Sequence, residues 1–340
     1  MLIDLDLVES YDYELPRELI ANAPVMPKEA ARLLVYNRAN GEISHLHFGD
    51  LAEILPDCAI IFNDTKVIKA RIFGHKDSGG KIELLLNSPL GEGKFSVYVR
   101  GSVKIGAILE FDKNLKAEIL ELFDDGLRVA RFSQNSHILE THELFKILDE
   151  IGHVPLPPYI KRADTKDDES WYQTIFAKNE GAVAAPTASL HFSDEMLADL
   201  KAKHDIYYLT LHVGAGTFKP VEVANIKDHK MHGEYYSIPE RTAKLLDSER
   251  EILGVGTTCT RTIESYARTH KIGGICELFL HPNNPPIRQN HLLTNFHLPK
   301  STLIMLVASF IGLEKTLELY KIAVDKKYRF YSYGDGMLIL

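Results

Sequence analysis

The chain is poor in cysteine, lacks any long apolar run and carries no excess of positive charge, and each shortage excludes a class of protein. Its three cysteines, Cys58, Cys259 and Cys276, are scattered over 340 residues with no C-x-x-C pair. An odd, widely spaced set excludes a disulfide scaffold and a cysteine zinc site, and predicts a reducing, cytoplasmic setting. The longest apolar stretch, residues 303–313, falls well short of the ~20 residues of a membrane span. The opening residues, Met1 to Asp6, carry acid where a secretion signal carries Lys or Arg. A formal net charge of −8 argues against indiscriminate polyanion binding. There is no G-x-G-x-x-G, P-loop or H-E-x-x-H motif.

What is present is ordinary globular composition, 45% hydrophobic and 25% charged, in a chain long enough for two cores. Residues 32–36 and 59–62 read as strands, the second fully buried. From Thr65 to about Arg131 the texture changes to short strand-like runs (81–86, 96–99, 107–111, 117–122, 127–132) broken by glycine. That spacing, with no long amphipathic helix inside it, predicts a small β-barrel. A helix over 142–151 ends it at Gly152. Beyond, helices (194–203, 239–250, 259–270, 301–311, 314–326) alternate with strands (206–213, 252–255), which is α/β patterning. The expected architecture is a discontinuous α/β domain, residues 1–64 and 152–340, with residues 65–151 inserted as a β-barrel.

The most informative segment is Gly181-Ala-Val-Ala-Ala-Pro186-Thr187-Ala-Ser189-Leu-His191-Phe192. Small residues let a backbone approach whatever it faces, and Pro186 disfavours both helix and central strand. The segment fits the wall of a ligand pocket and, equally, a tightly packed buried loop. A strand running into Gly256-Thr257-Thr258 and then a helix offers free N–H groups to a polar or anionic ligand, or is simply an N-capped helix. His212-Val-Gly214-Ala-Gly216-Thr217-Phe218 ends another strand with a glycine loop, but Lys219-Pro220 follows where a dinucleotide-binding helix would start. His229-x-x-His232-x-Glu234 has histidines spaced to share a helix face, yet Gly233 interrupts it, so acid/base or polar binding work fits better than a metal. Asn63-Asp64-Thr65-Lys66 puts four polar side chains at a strand end, as a site or a turn does. Lys66, Lys69, Arg71, His75, Lys76 and Lys81 make a basic cluster, as do Lys161 and Arg162. The Pro155–Tyr159 run delivers Tyr159 and Arg162 at a set distance from His153. Thr294-Asn295-Phe296-His297-Leu298-Pro299 leads into an apolar helix, and Tyr328 to Gly336 packs aromatics around Asp335.

Together these blocks resemble the S-adenosylmethionine:tRNA ribosyltransferase-isomerases of queuosine biosynthesis. The resemblance rests on Tyr11 to Pro16, Asn63 to Ile68, Gly79 to Glu83, Gly152 to Ile160 and the small-residue segment. It continues through His212 to Phe218, Met231 to Glu234, Gly256 to Thr258, Thr294 to Pro299 and Tyr328 to Asp335, and so spans essentially the whole chain in order. Local departures are Ala31-Arg32 for the usual serine-arginine pair, Ser189 for a usual glycine, and 277–286 without the usual proline-glycine turn.

The resemblance implies a large α/β domain carrying a β-barrel. It implies transfer and isomerisation of the ribosyl moiety of S-adenosylmethionine, a co-substrate, onto 7-aminomethyl-7-deazaguanine at the wobble position of tRNA. Epoxyqueuosine forms and adenine and methionine leave. No metal and no membrane are expected, and the protein is expected to act as a cytoplasmic monomer. The sulfonium acidifies its neighbouring C5′ protons and makes methionine a good leaving group, so the protein supplies a base, an acid for departing adenine, and a wall that orients the ribose. The expected acid/base residues are His153, His212 and His232 with Glu234, while Asp335 pairs with a cation or ribose hydroxyl. Substrate contacts are expected from Asn63, Asp64, Lys66, Tyr159, Arg162, Pro186, Thr187, His191, Gly214, Gly216, Thr217, Gly256, Thr257, Thr258, Arg261, Asn295 and His297, and tRNA phosphate contacts from Arg71 and Lys81, with Lys66 and Arg162. A metal-dependent hydrolase built on His229, His232 and Glu234, and a non-catalytic RNA-binding protein, are the competing classes.

Overall fold

The computed structural model describes residues 3–218 and 221–340. Met1, Leu2, Lys219 and Pro220 lie outside the described residues, and with them part of the acidic start and the break expected after Phe218. Eighteen strands occur among those described: β1 (Arg32–Tyr36), β2 (Ile43–His47), β3 (Ala59–Asn63), β4 (Thr65–Val67), β5 (Arg71–Lys76), β6 (Lys81–Gly91), β7 (Lys94–Arg100), β8 (Ile108–Glu110), β9 (Leu115–Leu122), β10 (Leu127–Gln134), β11 (His137–Ile138), β12 (Asn179–Ala182), β13 (Ile206–Leu211), β14 (Glu234–Ser237), β15 (Ile252–Val255), β16 (Gly273–Cys276), β17 (His291–Asn295) and β18 (Gly336–Ile339).

Nine of them form one mixed sheet in the order β16-β14-β13-β3-β15-β17-β18-β1-β2. Its centre, β13-β3-β15-β17, is parallel, with Ile206 and Ile252 flanking Ile60 and Ala59 in register. β3, β15, β17 and β18 are buried along their whole length, as strands covered on both faces must be. Alternation sorts their side chains. Ile60, Phe62, Leu253 and Val255 pack against Met196, Leu197 and Leu200 of the helix Asp194–Lys203. Ala59, Ile61 and Ile252 face Cys259, Ile263 and Tyr266 of the helix Thr257–Thr269. The last helices, Thr302–Ile311 and Leu313–Asp325, bury their apolar faces against Leu34, Leu292 and Met337.

The glycine-broken segment is a second sheet, β11-β10-β7-β6-β5-β8-β9, which a β9–β10 pairing closes into a six-stranded barrel. Phe95 and Phe132 meet edge to face in its core, and Leu144, Phe145 and Leu148 of the helix Thr141–Ile151 seal one side. Val183 and Ala215 join this same cluster, so the barrel core reaches the loops of the large sheet.

Some elements differ from expectation. The 239–250 helix is only Glu240–Leu246, with Pro239 as its N-cap, because Ser248 folds back onto Leu245. The 259–270 helix begins earlier, at Thr257. His229 and His232 do not share a helix: a short turn ends at Asp228 and Glu234 already begins a strand.

Candidate active site

The parallel strands β13, β3, β15 and β17 all point their carboxyl ends the same way, which is where open α/β sheets bind ligands. After β15, Gly256 takes φ +88°, a conformation open to glycine, and its N–H is held by the Leu293 carbonyl at 2.7 Å. The first-turn N–H groups of the helix Thr257–Thr269 have no intrahelical acceptors and stand at the positive end of its dipole. Residues 184–188 run opposite, close enough that a Cβ on Gly256 would meet Ala188 at 3.5 Å.

Between them lies a pocket with about 950 Å³ of empty space, part of it open to solvent. Pro186, Thr187, Thr217, Gly256, Thr257, Thr258, Asn295, His297 and Tyr159 all line it. Among the described residues no carboxylate does, and the one formal charge, Lys300, is tied to Glu9 and Asp12 at 2.8 and 2.9 Å. A second layer fixes the wall. Thr187 Oγ1 donates to Asn295 Oδ1 at 2.9 Å, Asn295 Nδ2 meets His191 Nε2 at 3.1 Å, and His191 stacks on Phe48 at 4.0 Å. Burial takes both His191 and His297 down to about 3, so both rings are neutral. His191 therefore braces the pocket from behind.

A wider cleft opens between barrel and sheet, lined by Asn87, Tyr98, Phe123 and Phe145 on one side and Gly181, His212, Gly214, Gly216, His232, Glu234 and Tyr235 on the other. His212 packs face to face with Gly181, where a Cβ would come to 3.0 Å, and its Nδ1 pairs with Thr65 Oγ1 at 2.8 Å. Burial lowers its pKa, with Asp64 opposing, so it is held as neutral imidazole able to take a proton. His232 packs as closely on Gly216.

The glycine loop separates pocket from cleft. Glu234 Oε1 accepts from Gly214 N at 3.0 Å and Thr217 Oγ1 at 3.1 Å, its Oε2 accepts from Arg261 Nη1, and Asn87 of β6 accepts from Ala215 N at 3.0 Å. Arg261 is 6% exposed and also donates to the carbonyls of Leu278 and Cys276. Both carboxylate oxygens of Glu234 are thus occupied by protein donors. These bonds hold the glycine loop in place, and Glu234 itself stands on the wall of the cleft.

Other expected residues lie elsewhere. Asp335 is 1% exposed, lines neither cavity, and accepts from the backbone N–H groups of Arg32 and Arg329 at 2.9 and 2.8 Å, which staples the C-terminal loop to β1. His153 points away from both cavities toward Asp164 at 3.1 Å, because its backbone pairs with Arg71 beside the barrel. Arg162 grips the buried Asp168 through two bonds of 2.6 and 2.8 Å. Asn63 and Asp64 knit β3 to Leu211, Thr210 and Asn179, and Lys66 pairs with Glu180 at 2.8 Å. Arg71 is paired with Glu83 at 3.3 Å, and Lys81 stands exposed on β6. For the metal reading, no group of three or more His, Cys, Asp or Glu among the described residues is arranged to hold an ion.

Sequence reasoning passed over Tyr331. It lines the pocket, stacks on Tyr159 at 4.2 Å and holds φ +72°, a strain on the order of 1–3 kcal/mol for a non-glycine residue. The signal available was its place between Phe330 and Ser332 in an aromatic run ending in glycine, which says turn but not which ring turns inward.

A pocket at the strand ends and a cleft between barrel and sheet lie on either side of one loop, room for two ligands side by side, as an enzyme acting on two substrates needs. The sequence pattern of the family described as "Queuosine biosynthesis protein" matches residues 8–339. The chain is 65% identical to the S-adenosylmethionine:tRNA ribosyltransferase-isomerase of Campylobacter fetus subsp. fetus, over 99% of both chains, and 60% identical to that of Sulfurimonas denitrificans, over 98% of both. The crystal structure of an S-adenosylmethionine tRNA ribosyltransferase from Thermotoga maritima is similar at 33% identity, with a TM-score of 0.54, covering 97% of this chain and all of that one. The chain belongs to the S-adenosylmethionine:tRNA ribosyltransferase-isomerases of the queuosine biosynthesis family.

Proposed function

We propose that this protein transfers and isomerises the ribosyl moiety of S-adenosylmethionine onto 7-aminomethyl-7-deazaguanine at the tRNA wobble position, yielding epoxyqueuosine-tRNA, adenine and methionine. The observation that carries the reading is the pairing of a carboxylate-free pocket at the strand ends with a wider cleft between barrel and sheet. The donor sits among Pro186, Thr187, the Gly256–Thr258 turn, Asn295 and His297. The acceptor enters between barrel and sheet, and the ribosyl carbons cross at the Gly214–Thr217 loop. His212 and His232, the histidines on the cleft wall, carry the proton transfers. Neutral His212 is suited to act first as base, and a polarised imidazole or the helix N–H groups assist departing adenine. Thr187 and Asn295 orient the ribose, which is most of what a sulfonium donor requires.

The catalytic part comprises residues 1–64 and 152–340, and 65–151 form the inserted barrel, with Lys81 and its neighbours meeting phosphate. No helix among the described residues is long and apolar enough to cross a membrane. We place the enzyme in the cytoplasm, acting as a monomer and without a metal. The test is to incubate protein, S-adenosylmethionine and precursor-bearing tRNA without added metal and follow adenine. Adenine release that depends on the precursor base is expected. Folded protein that releases none overturns the reading, and release abolished by chelation restores the metal hydrolase.

A further inference from the structure

We propose that the outward face of strands β5, β6 and β7 is a second contact surface for the tRNA, in which Phe73 stacks on an unpaired loop base while Arg100 and Lys81 meet the phosphates beside it. The inference rests on the reading of tRNA as the acceptor. Strand register lays this face out in three rows. Arg71, Leu85 and Tyr98 form the first, Phe73, Glu83 and Arg100 the second, and His75 with Lys81 the third. The residues between them, Ile72, Ile82, Leu84 and Val97, belong to the barrel core, so alternation turns the three rows outward.

Phe73 lies inside the sheet, between β6 and the His153 segment, yet it is 51% exposed. A lone exposed ring means little, but this one is set among cations. His153 meets it at 75° and 5.1 Å, which fixes the orientation of the ring before anything binds. The Arg100 side chain is 87% exposed, and Lys81 is exposed with no ion-pair partner among the described residues. Glu83, the one carboxylate on these three strands, is shared by Arg71 at 3.3 Å and Arg100 at 3.7 Å, and Glu110 beside His75 is tied to Lys116 at 2.7 Å. The Arg100 pair is long and solvated, so it is worth little and gives way to a phosphate. An ordered aromatic ring between exposed cations has the chemistry of single-stranded nucleic acid, whose bases stack while its phosphates pair. The face is also continuous with the cleft, because Tyr98 of the first row lines it. One row and two strand spacings separate Tyr98 from Phe73, roughly 12 Å. A tRNA whose wobble base enters the cleft brings another base of the same loop over Phe73.

The test is filter binding of precursor-bearing tRNA over a range of salt, with turnover measured alongside. Phe73→Leu keeps the apolar bulk of the exposed position and removes only the aromatic face. Its Kd for tRNA is expected to rise about tenfold, and Phe73→Trp to restore it. The slope of log Kd against log salt holds in both, because stacking releases no counterions, whereas Arg100→Ala lowers that slope by about one. The KM for tRNA follows Kd, while the KM for S-adenosylmethionine and kcat at saturating tRNA stay at the parental values. A Phe73→Leu protein that binds tRNA as the parent does overturns the inference, as does an equal loss in the Leu and Trp variants. So does a face that joins two copies of the chain, seen as a smaller sedimentation coefficient for Phe73→Leu with tRNA affinity intact. Because binding is read without turnover, the expected losses in a protein that releases no adenine uphold this face and overturn the proposed reaction instead.

Discussion

Gly216→Ala is the sharpest probe of the catalytic wall. The Gly216 φ is not in the left-handed region, so alanine is no strain on the backbone. The cost lies outside it: a Cβ there would sit 2.6 Å from Cγ of His232, 2.7 Å from Cδ2 and 3.0 Å from Cβ. Ordinary contact begins at 3.4 Å, so the imidazole must retreat by about 0.8 Å, and because its Cβ is also struck it cannot simply rotate away. Misplacing a reacting group by that much costs on the order of 10²-fold in rate. The fold loses about 1 kcal/mol, the low end for overpacking, since the ring borders an open cleft. Adenine release under saturating substrates is expected to fall about 100-fold, with Tm lowered by only about 2–4 °C. In a His232→Ala background the second substitution should change nothing further, because the two act through one ring. Turnover within twofold of the parent, or equal losses with and without His232, refutes the placement of His232 at the reacting centre.

His232→Ala and His212→Ala should each cost about 10²–10⁴-fold in adenine release at unchanged Tm, and full turnover in either removes it from the proton-transfer assignment. Glu234→Ala leaves Arg261 buried without its partner and should lower stability by about 3–5 kcal/mol in urea titration, and a shift below about 1 kcal/mol contradicts the positioning role. The pKa of His191 and of His297 lies near 3 in the fold against 6.5 unfolded, so their stabilisation is complete above pH 6.5 and is lost as pH falls toward 3. At up to about 1.4 kcal/mol per unit for each ring, the pair forfeits about 4 kcal/mol between pH 7 and 5, and an unchanged urea midpoint at pH 5 contradicts this. Arg162→Ala should destabilise by unpairing Asp168 and leave the salt dependence of tRNA affinity alone, whereas Lys81→Ala should reduce that slope by about one. The reverse pattern would return Arg162 to the phosphates.

The barrel was legible because its strands alternate and its turns are marked by glycine, so period and punctuation agree. The strand at 252–255 was legible as an apolar run leading into a hydroxyl-rich helix start. β17 and β18 escaped notice for a physical reason: buried on both faces, they have no alternation, and at four or five residues they look like any apolar turn. The pocket wall was found from its small residues. Direction was not, since no local pattern states whether His153 faces a cavity or Asp164, or that Asp335 caps two backbone N–H groups more than 290 residues apart in sequence. Pairing was equally invisible: nothing local in the sequence says that Arg162 sits against Asp168 or Arg71 against Glu83.

The position of β18 sets the order in which the chain can dock as it is made. Leu33 of β1 pairs with Gly336 of β18, and among the described residues it is through β18 that β1 and β2 reach β17. A growing chain therefore carries two strands it cannot dock until residue 339 has been made. At 5–20 residues per second that wait is roughly 15–60 s. The barrel, whose pairings all fall between residues 71 and 138, is free to close in the meantime. The insertion that supplies one wall of the cleft is thus the first piece able to fold, and β1 and β2, made before it, are among the last to be secured.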